Sequence, residues 1–436
     1  MKALNLLPLN TLGEPDPSNI TKQDILSAIA FDKQGQLLSV GDRGGRVIVF
    51  QRIEENGVMD WDYLTEFQSH ETSFDPLNSN QIPEKINVLE WINVYPGSAS
   101  HMLSANDKLI KLWRIDLKKE KKYESAKKLL AKGKVMLPRS KVVNEGWEGK
   151  CRSLYRSAHE YHINSLCLSP DGENFLSADD LRVNLWHVDD STQVYNVVDM
   201  KPKSMEELDE IVTHCEFHPR NSSVFLYTTS KGLLHLCDFR AAASFQNQSS
   251  LRFEVGLGQK KNAFSELINS LSFAKFLPAF PHHIVSRDYL SVKLWDVRSA
   301  RMPLASIAVC DYLEKNLLSL YEEDFIYDKF FLDVSPCSGY VVTGAYNRSA
   351  HVLDLAATNT LALPANFDSK RGKAIAGPRR YGPNRKLLPV DNPEAIDFKK
   401  KVMAGCWSPK ENTVALAFRN CIFLYSDKTA TQTISV

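Results

Sequence analysis

The chain has 436 residues, of which 43% are hydrophobic and 24% charged, and its formal net charge is +1. That much apolar surface excludes a chain disordered throughout, and no run approaches the ~18 consecutive apolar residues of a membrane-spanning helix. The near-neutral total hides ten Lys/Arg against two Glu between Lys118 and Lys141, and seven Lys/Arg without an acid between Lys370 and Lys386, so an acidic body carries two basic insertions.

In chain order, the opening MKALNLLPLN carries one Lys and an apolar run broken by Pro8 and Asn10, a poor signal peptide. Eight cysteines follow without a Cys-x-x-Cys, and Cys167, Cys237 and Cys421 lie in apolar strand-like runs. They read as reduced core thiols, so the chain is expected in the cytoplasm or the nucleus. From residue 37 onward one unit recurs: LLSVGDRGGRVIVFQR (37–52), MLSANDKLIKLWRI (102–115), FLSADDLRVNLWHV (175–188), FLYTTSKGLLHLCDF (225–239) and IVSRDYLSVKLWDV (284–297). Weaker copies are VVTGAYNRSAHVLDL (341–355) and ALAFRNCIFLYS (415–426). Each is a short apolar strand, a polar turn and a second strand that alternates apolar and polar, as Ile110-Lys111-Leu112-Trp113 does.

Helical runs between these hairpins are too few for a TIM barrel or a doubly wound sheet. The repeats predict an all-β fold, a seven-bladed WD-type β-propeller with a long β-hairpin insertion in blade two and a few short helices. Residues 1–23 form an N-terminal segment in this division and 24–436 the propeller. Blades of about 40–45 residues leave an excess, which falls in a hairpin insertion at about 116–150 and a basic loop insertion at about 361–400.

Gly41-Asp42, followed by Gly44 and Gly45, has the look of a metallophosphatase fragment or a phosphate-cradling loop. The companion Gly-Asn-His-Glu is missing, and a turn at positive φ between two strands accounts for the glycines. Asp42 then holds the turn position that Asp107, Asp179 and Asp288 take in later copies.

The fullest copy, SAHEYHINSLCLSPDGENFLSADDLRVNLWHV (157–188), places His159, Ser177, Asp179 and Trp186 where WD repeats carry a structural hydrogen-bonded network. A catalytic His159–Asp179 pair is the competing reading, but Trp186 and the turn position account for both residues without chemistry. Cys215-x-x-His218 has no second pair to complete a zinc site, and His282-His283 reads as a turn. Gly-x-Ser-x-Gly, His-Glu-x-x-His and Gly-x-x-x-x-Gly-Lys-Ser/Thr are missing. No catalytic residue, metal or cofactor is expected.

Ser204-x-x-Glu207 behind Pro202 forms a capping box, which predicts a short helix from Met205. Met205 and Leu208 share one face of it, and Glu206, Glu207, Asp209 and Glu210 supply negative charge. Such an apolar spot rimmed by acids suits a partner helix with Leu anchors and Lys/Arg neighbours. The alternative is that Met205 and Leu208 fold under the blade and the acids are a solvated face. Tyr327-Asp328-Lys329-Phe330 is either a second piece of such a surface or an inter-blade plug.

QSHETSFDPLNSNQIPEKIN (68–87), the 157–188 repeat, DMKPKSMEELDEIVTHCEFHP (199–219), SKGLLHLCDFRAA (230–242), FSELINSLSF (264–273), SRDYLSVKLWDV and YDKFFLDVSPCSGYVVTGAYN (327–347) together resemble the WD-repeat B-type, 55 kDa class, regulatory subunit of protein phosphatase 2A. The likeness runs from about Asp24 to the end. It implies a non-catalytic chain that docks on a helical-repeat scaffold subunit and accompanies a phosphatase catalytic subunit. The blade-two hairpin, through Lys127, Lys128, Val135 and Leu137, would reach the scaffold. Phosphoprotein substrates and inhibitor helices would bind an acidic top-face groove. Matching residues here are Asp179, Asp180, Leu181, Met205, Glu206, Glu207, Leu208, Asp328, Lys329 and Phe330. Two departures from the family pattern are the Lys-rich hairpin and the stretch PAFPHH (278–283). A nucleic-acid-binding scaffold is the rival reading of the basic strips, but Tyr123 and Tyr381 are their only aromatic residues and the body is acidic, so no direct nucleic-acid contact is expected. A propeller enzyme would need carboxylates or histidines at equivalent places in several blades, which the repeats lack.

Overall fold

The structure, a computed structural model, describes all residues except 1–3, 15–19, 56–57, 76–78, 93–98, 124–139, 243, 245–250, 257–263, 300, 357–358, 366, 369–372, 375–377, 382–395 and 428–436. Seven antiparallel sheets stand around a central channel. Their first strands are Leu26–Phe31, Val88–Ile92, Ser165–Leu168, Val212–His218, Phe273–Phe276, Leu332–Val334 and Ala404–Trp407 in blades one to seven. Each inner strand neighbours the next around the ring, and the seventh returns to the first. The seven-bladed propeller expected from the repeats is therefore the fold.

The repeated hairpins are the second and third strands of the blades. In blade one they are Leu37–Asp42 and Arg46–Glu55, joined by the Gly-rich turn. Asp42 Oδ1 accepts from the Arg46 N–H at 2.9 Å, and Arg46 Nε donates to Asp42 Oδ2 at 2.8 Å. Gly45 has φ of +81°, and a Cβ there would come within 2.2 Å of the His70 carbonyl oxygen. Asp42 and its glycines thus close a tight turn, as the missing companion motifs require.

Core formation lies between blades, and strand parity produces it. In blade six Val342, Ala350 and Val352 face blade seven, whereas Val341, Ala345 and Leu353 face blade five. Each sheet therefore needs apolar residues on both faces, and polar residues within the sheets, such as Ser177 and Ser286, are buried. Hydrogen bonds along the channel tie neighbouring inner strands together. Ser27 Oγ donates to the Ile86 carbonyl at 2.6 Å, and Ser165 Oγ accepts from the Cys215 N–H at 2.9 Å. The Phe276 N–H donates to Glu216 at 3.2 Å, and the Trp407 N–H to Asp333 at 2.6 Å. All eight cysteines are free thiols.

Three features depart from the division expected from the sequence. Leu6–Leu12 lies in the segment expected to precede the propeller, yet it pairs with Cys421–Asp427 as the outer strand of blade seven. Leu6 is fully buried there, and Pro8 sits next to a register shift on the sheet edge, a position that tolerates a missing N–H. Thr360–Pro364, at the start of the expected basic insertion, is a regular outer strand of blade six. Arg379–Tyr381 then adds a fifth strand to that sheet. In blade two, Ile110–Tyr123 and Ser140–Tyr155 run together well beyond the other blades, as the hairpin insertion expects. Lys118 and Lys119 meet Glu148 and Glu145 across it at 3.2 and 3.0 Å. Lys127, Lys128, Val135 and Leu137 lie outside the described residues.

Ring closure through Leu6 makes a direct prediction. Leu6→Ala is expected to cost about 2–5 kcal/mol, the range for truncating a fully buried leucine. The urea midpoint of the full chain reads this, and an unchanged midpoint would contradict closure by the first strand.

Candidate functional site

The top face carries the turns between second and third strands and the connections from one blade to the next. In blade three the expected network is complete. His159 bridges Asp179 Oδ2 (2.9 Å, from Nδ1) and Ser177 Oγ (2.7 Å, from Nε2), while Trp186 Nε1 donates to Ser177 Oγ at 2.9 Å. Asp179 Oδ1 accepts from the N–H groups of Leu181 and Arg182 at 2.8 and 2.7 Å. The Asp179 carboxylate is thus fully committed, and it is fully buried. Leu181 is buried as well, at 1% exposure. Neither residue offers a side chain to a partner, which corrects the expectation from the sequence. The tight turn that puts Asp179 into the network also turns Leu181 inward.

Asp180 stays half-exposed next to them. Its Oδ1 accepts from Asn164 Nδ2 at 2.8 Å and its carbonyl from the Val212 N–H at 2.7 Å, so the carboxylate is held at the lip of the channel. Asn164 fixes it there by donating also to the Val212 carbonyl at 3.2 Å.

Next to this lip, the short helix expected from Met205 forms as a single 3-10 turn, Met205–Glu207, with Ser204 as its N-cap. Ser204 Oγ accepts from the Glu206 N–H and the Ser204 carbonyl from the Glu207 N–H. The chain then turns extended at Leu208, since Val212 must enter the inner strand of blade four. Met205 is 50% exposed and Leu208 37% exposed, so the alternative in which they fold under the blade is excluded. Tyr161 Oη lies 3.7 Å from Met205 Sδ and supports the turn from below. Asp209 is neutralised by Lys231, and Glu160 by Arg182 and Lys201 (3.3 and 2.6 Å). Among the described residues Glu206 and Glu207 make no ion pair, and they supply the net negative charge of the patch.

The 327–330 segment divides between surface and interior. Phe330 is buried at 1% exposure as an inter-blade plug, edge-on to Tyr346, and is removed from the set of surface residues. The Asp328 carboxylate accepts from Tyr346 Oη at 2.9 Å and pairs with Lys401, so it too is spent on the interior. Burial raises its pKa, with Lys401 and Tyr346 opposing. Tyr327, 51% exposed, and Lys329 remain on the surface. Burial lowers the Lys329 pKa, and the Asp180 charge acts against that fall.

A cleft of about 770 Å³, which no sequence motif announces, adjoins this patch. It lies between the small hairpin Ser73–Asp75/Asn80–Ile82 and Glu160-Tyr161-His162, with Asp107 and Lys108 in its floor. His162 Nδ1 meets Asp107 at 3.0 Å. Tyr161 touches both this cleft and Met205, so cleft and patch form one surface. The available signal was SAHEYH, whose residues flanking His159 are not needed for the network.

The central channel, about 490 Å³, is polar in its middle. Lys275 Nζ meets Asp333 at 2.9 Å, with Glu216 and Glu90 close by. Burial works against the Lys275 charge, but Asp333 and Glu216 outweigh it and raise its pKa. Glu216 is pushed up to about 8, chiefly by burial, with Lys275 opposing. Cys215 next to it is wholly buried and pushed up to about 12 by burial, and its Sγ lies 3.1 Å from Ser165 Oγ. Glu216 carries a pH signature. It ionises near 4.5 when unfolded and at about 8 when folded, so stability falls as pH rises between those values. Glu216→Gln is expected to remove that fall, and its urea midpoint should gain on the parent from about pH 5 to pH 8. A midpoint difference that is the same at both pH values would contradict this.

The WD domain, G-beta repeat family matches residues 149–187, the blade in which the His-Ser-Asp-Trp network is complete. The B gamma isoforms of the serine/threonine-protein phosphatase 2A 55 kDa regulatory subunit from Oryctolagus cuniculus and Homo sapiens are each 38% identical over 428 residues, covering 95% of this chain and 95% of theirs. The Mus musculus isoform is equally similar, at 38% over 428 residues.

The Asp179 network makes the contrast with Asp180 testable. Asp179→Ala strands His159 and two backbone N–H groups in the interior, and is expected to destabilise the chain by about 3–5 kcal/mol. Asp180→Lys is expected to leave the thermal midpoint nearly unchanged. Equal losses in a thermal melt would contradict the division of roles.

Proposed function

Because this chain belongs to the family of 55 kDa regulatory B subunits of serine/threonine-protein phosphatase 2A, we propose that its top face captures phosphoprotein substrates for that phosphatase. It is a regulatory subunit and not the catalytic one. The capture surface is the exposed Met205–Leu208 turn with Glu206 and Glu207, the lip carboxylate of Asp180 and the adjoining Tyr161 cleft. The observation that carries this reading is the exposure of Met205 and Leu208 alongside two acids that no cation neutralises among the described residues.

A propeller that buries apolar side chains throughout its blade interfaces has no structural need to expose this pair. Two apolar anchors 3 residues apart, ringed by carboxylates, suit an amphipathic helix that carries Leu-type residues and Lys/Arg. Substrate helices and inhibitor helices would share the surface. The Lys329 cation, on which the Asp180 charge acts, would set the polarity of the bound segment. Docking on the helical-repeat scaffold subunit would use the extended blade-two hairpin, whose paired strands run far past the sheet. The scaffold would in turn place the catalytic subunit over the captured substrate. Using separate surfaces would let one chain join the holoenzyme and select its substrates.

Asp180→Lys and Leu208→Ala are each expected to weaken phosphoprotein recovery about tenfold in pull-downs, the scale of losing about 1.4 kcal/mol. Recovery of scaffold and catalytic subunits in the same pull-downs should be unchanged. Normal substrate recovery with both variants would overturn the assignment of the surface. Failure to recover scaffold and catalytic subunits with the parent chain would overturn the holoenzyme role.

A further inference from the structure

Arg287 ends the second strand of blade five, and its side chain is fully buried. Strand parity sets its direction. Val285, two residues earlier, packs in the cluster shared by blades five and six, whereas Ile284 packs toward blade four. Arg287 therefore points at blade six. There the same parity applies to the second and third strands: Val341, Ala345 and Leu353 face blade five. Thr343 and His351, paired across those strands, share that face. The guanidinium and the imidazole thus look into one inter-blade space, and the Arg287 charge acts on His351.

The polar atoms in that space are left without protein partners. Arg287 Nε and Nη1 and both ring nitrogens of His351 are buried with no hydrogen bond among the described residues. Nη2 meets only the Cys310 thiol, at 3.7 Å, and the guanidinium lies 5.6 Å from the centre of the Phe330 ring. An aromatic face and a neutral thiol offset a buried cation only in part. Cys310 does not provide a thiolate, since burial raises its pKa despite Arg287. Arg287 itself cannot shed its proton. His351, at 2% exposure, stays neutral, held down at about 4 by burial and then by Arg287. A neutral imidazole still has one N–H to donate.

We propose that the space between blades five and six binds one small monovalent anion of the halide class, held by the Arg287 guanidinium and the His351 imidazole. One negative charge matches the one permanent positive charge. Water satisfies the donors but leaves the cation uncompensated in a cluster of apolar side chains such as Val285, Leu353 and Phe330, with the neutral Cys310, Tyr289 and Tyr312 in it. A divalent oxyanion would bring an excess charge into the same apolar surroundings. The Arg287 guanidinium lies against Phe330, the sequence neighbour of the exposed Lys329, so the anion would steady the loop that carries Lys329.

Two measurements on the full chain test this. Crystals grown in sodium bromide are expected to show an anomalous difference peak within hydrogen-bond reach of the Arg287 guanidinium. Ordered water there, with no anomalous signal, would overturn the proposal. In solution, the thermal midpoint in sodium chloride is expected to exceed that in sodium gluconate at equal ionic strength by on the order of 2 °C. That difference should vanish in Arg287→Met and shrink in His351→Phe. Equal midpoints of the parent chain in the two salts, or a difference that persists in Arg287→Met, would overturn it.

Discussion

Pairing of Leu6–Leu12 with Cys421–Asp427 joins the two ends of the chain in one sheet, and every other feature of the molecule depends on that closure. No blade holds a complete core of its own. Each buries one face against the blade before it and the other against the blade after it, so a ring left open would expose two apolar sheet faces. Closure also removes the problem of a free inner edge, since the first strands face a common channel and are tied to each other by side chains such as Ser27, Ser165, Glu216 and Asp333. The top-face loops are held in register by the same ring, which is why the Asp180 charge acts on a residue as distant in sequence as Lys329.

Within that frame, one residue separates structure from recognition. Asp179 and Asp180 are adjacent and chemically identical, yet the first is consumed by His159 and the turn, and the second is presented at the channel lip. The same economy governs the 327–330 loop, where Phe330 plugs the blade interface, Asp328 is bound to Tyr346 and Lys401, and Lys329 reaches the surface. The surface proposed for recognition is what is left after the fold has taken the polar groups it needs.

Much of this was legible in the sequence, because a blade writes the same hairpin seven times and the alternation in strands such as Arg182–His187 reports which residues turn inward. The tetrad of blade three was legible for the same reason. Leu6–Leu12 was not, since an outer strand far in sequence from its partner carries no repeat signature and its Pro8 argues against a strand until the bulge is known. Leu181 was expected at the surface, Asp179 both there and in the network, and Phe330 either there or as a plug, because a family resemblance aligns positions without giving side-chain directions. Periodicity cannot supply those directions in a turn. The cleft at Tyr161 escaped because it is built from residues far apart in the chain, and Arg287 escaped because a lone arginine in a strand reads as an exposed residue until its neighbours are known.

The central claim is that this regulatory subunit captures phosphoproteins on the turn at Met205–Leu208 and not elsewhere on the propeller. The most direct test places a photo-crosslinking side chain at position 208, and in a separate variant at position 194 on the exposed outer strand of blade three, in the assembled holoenzyme. The account predicts that phosphoproteins are labelled from position 208 and that position 194 labels only background. Equal labelling from both positions, or labelling from position 194 alone, would contradict it.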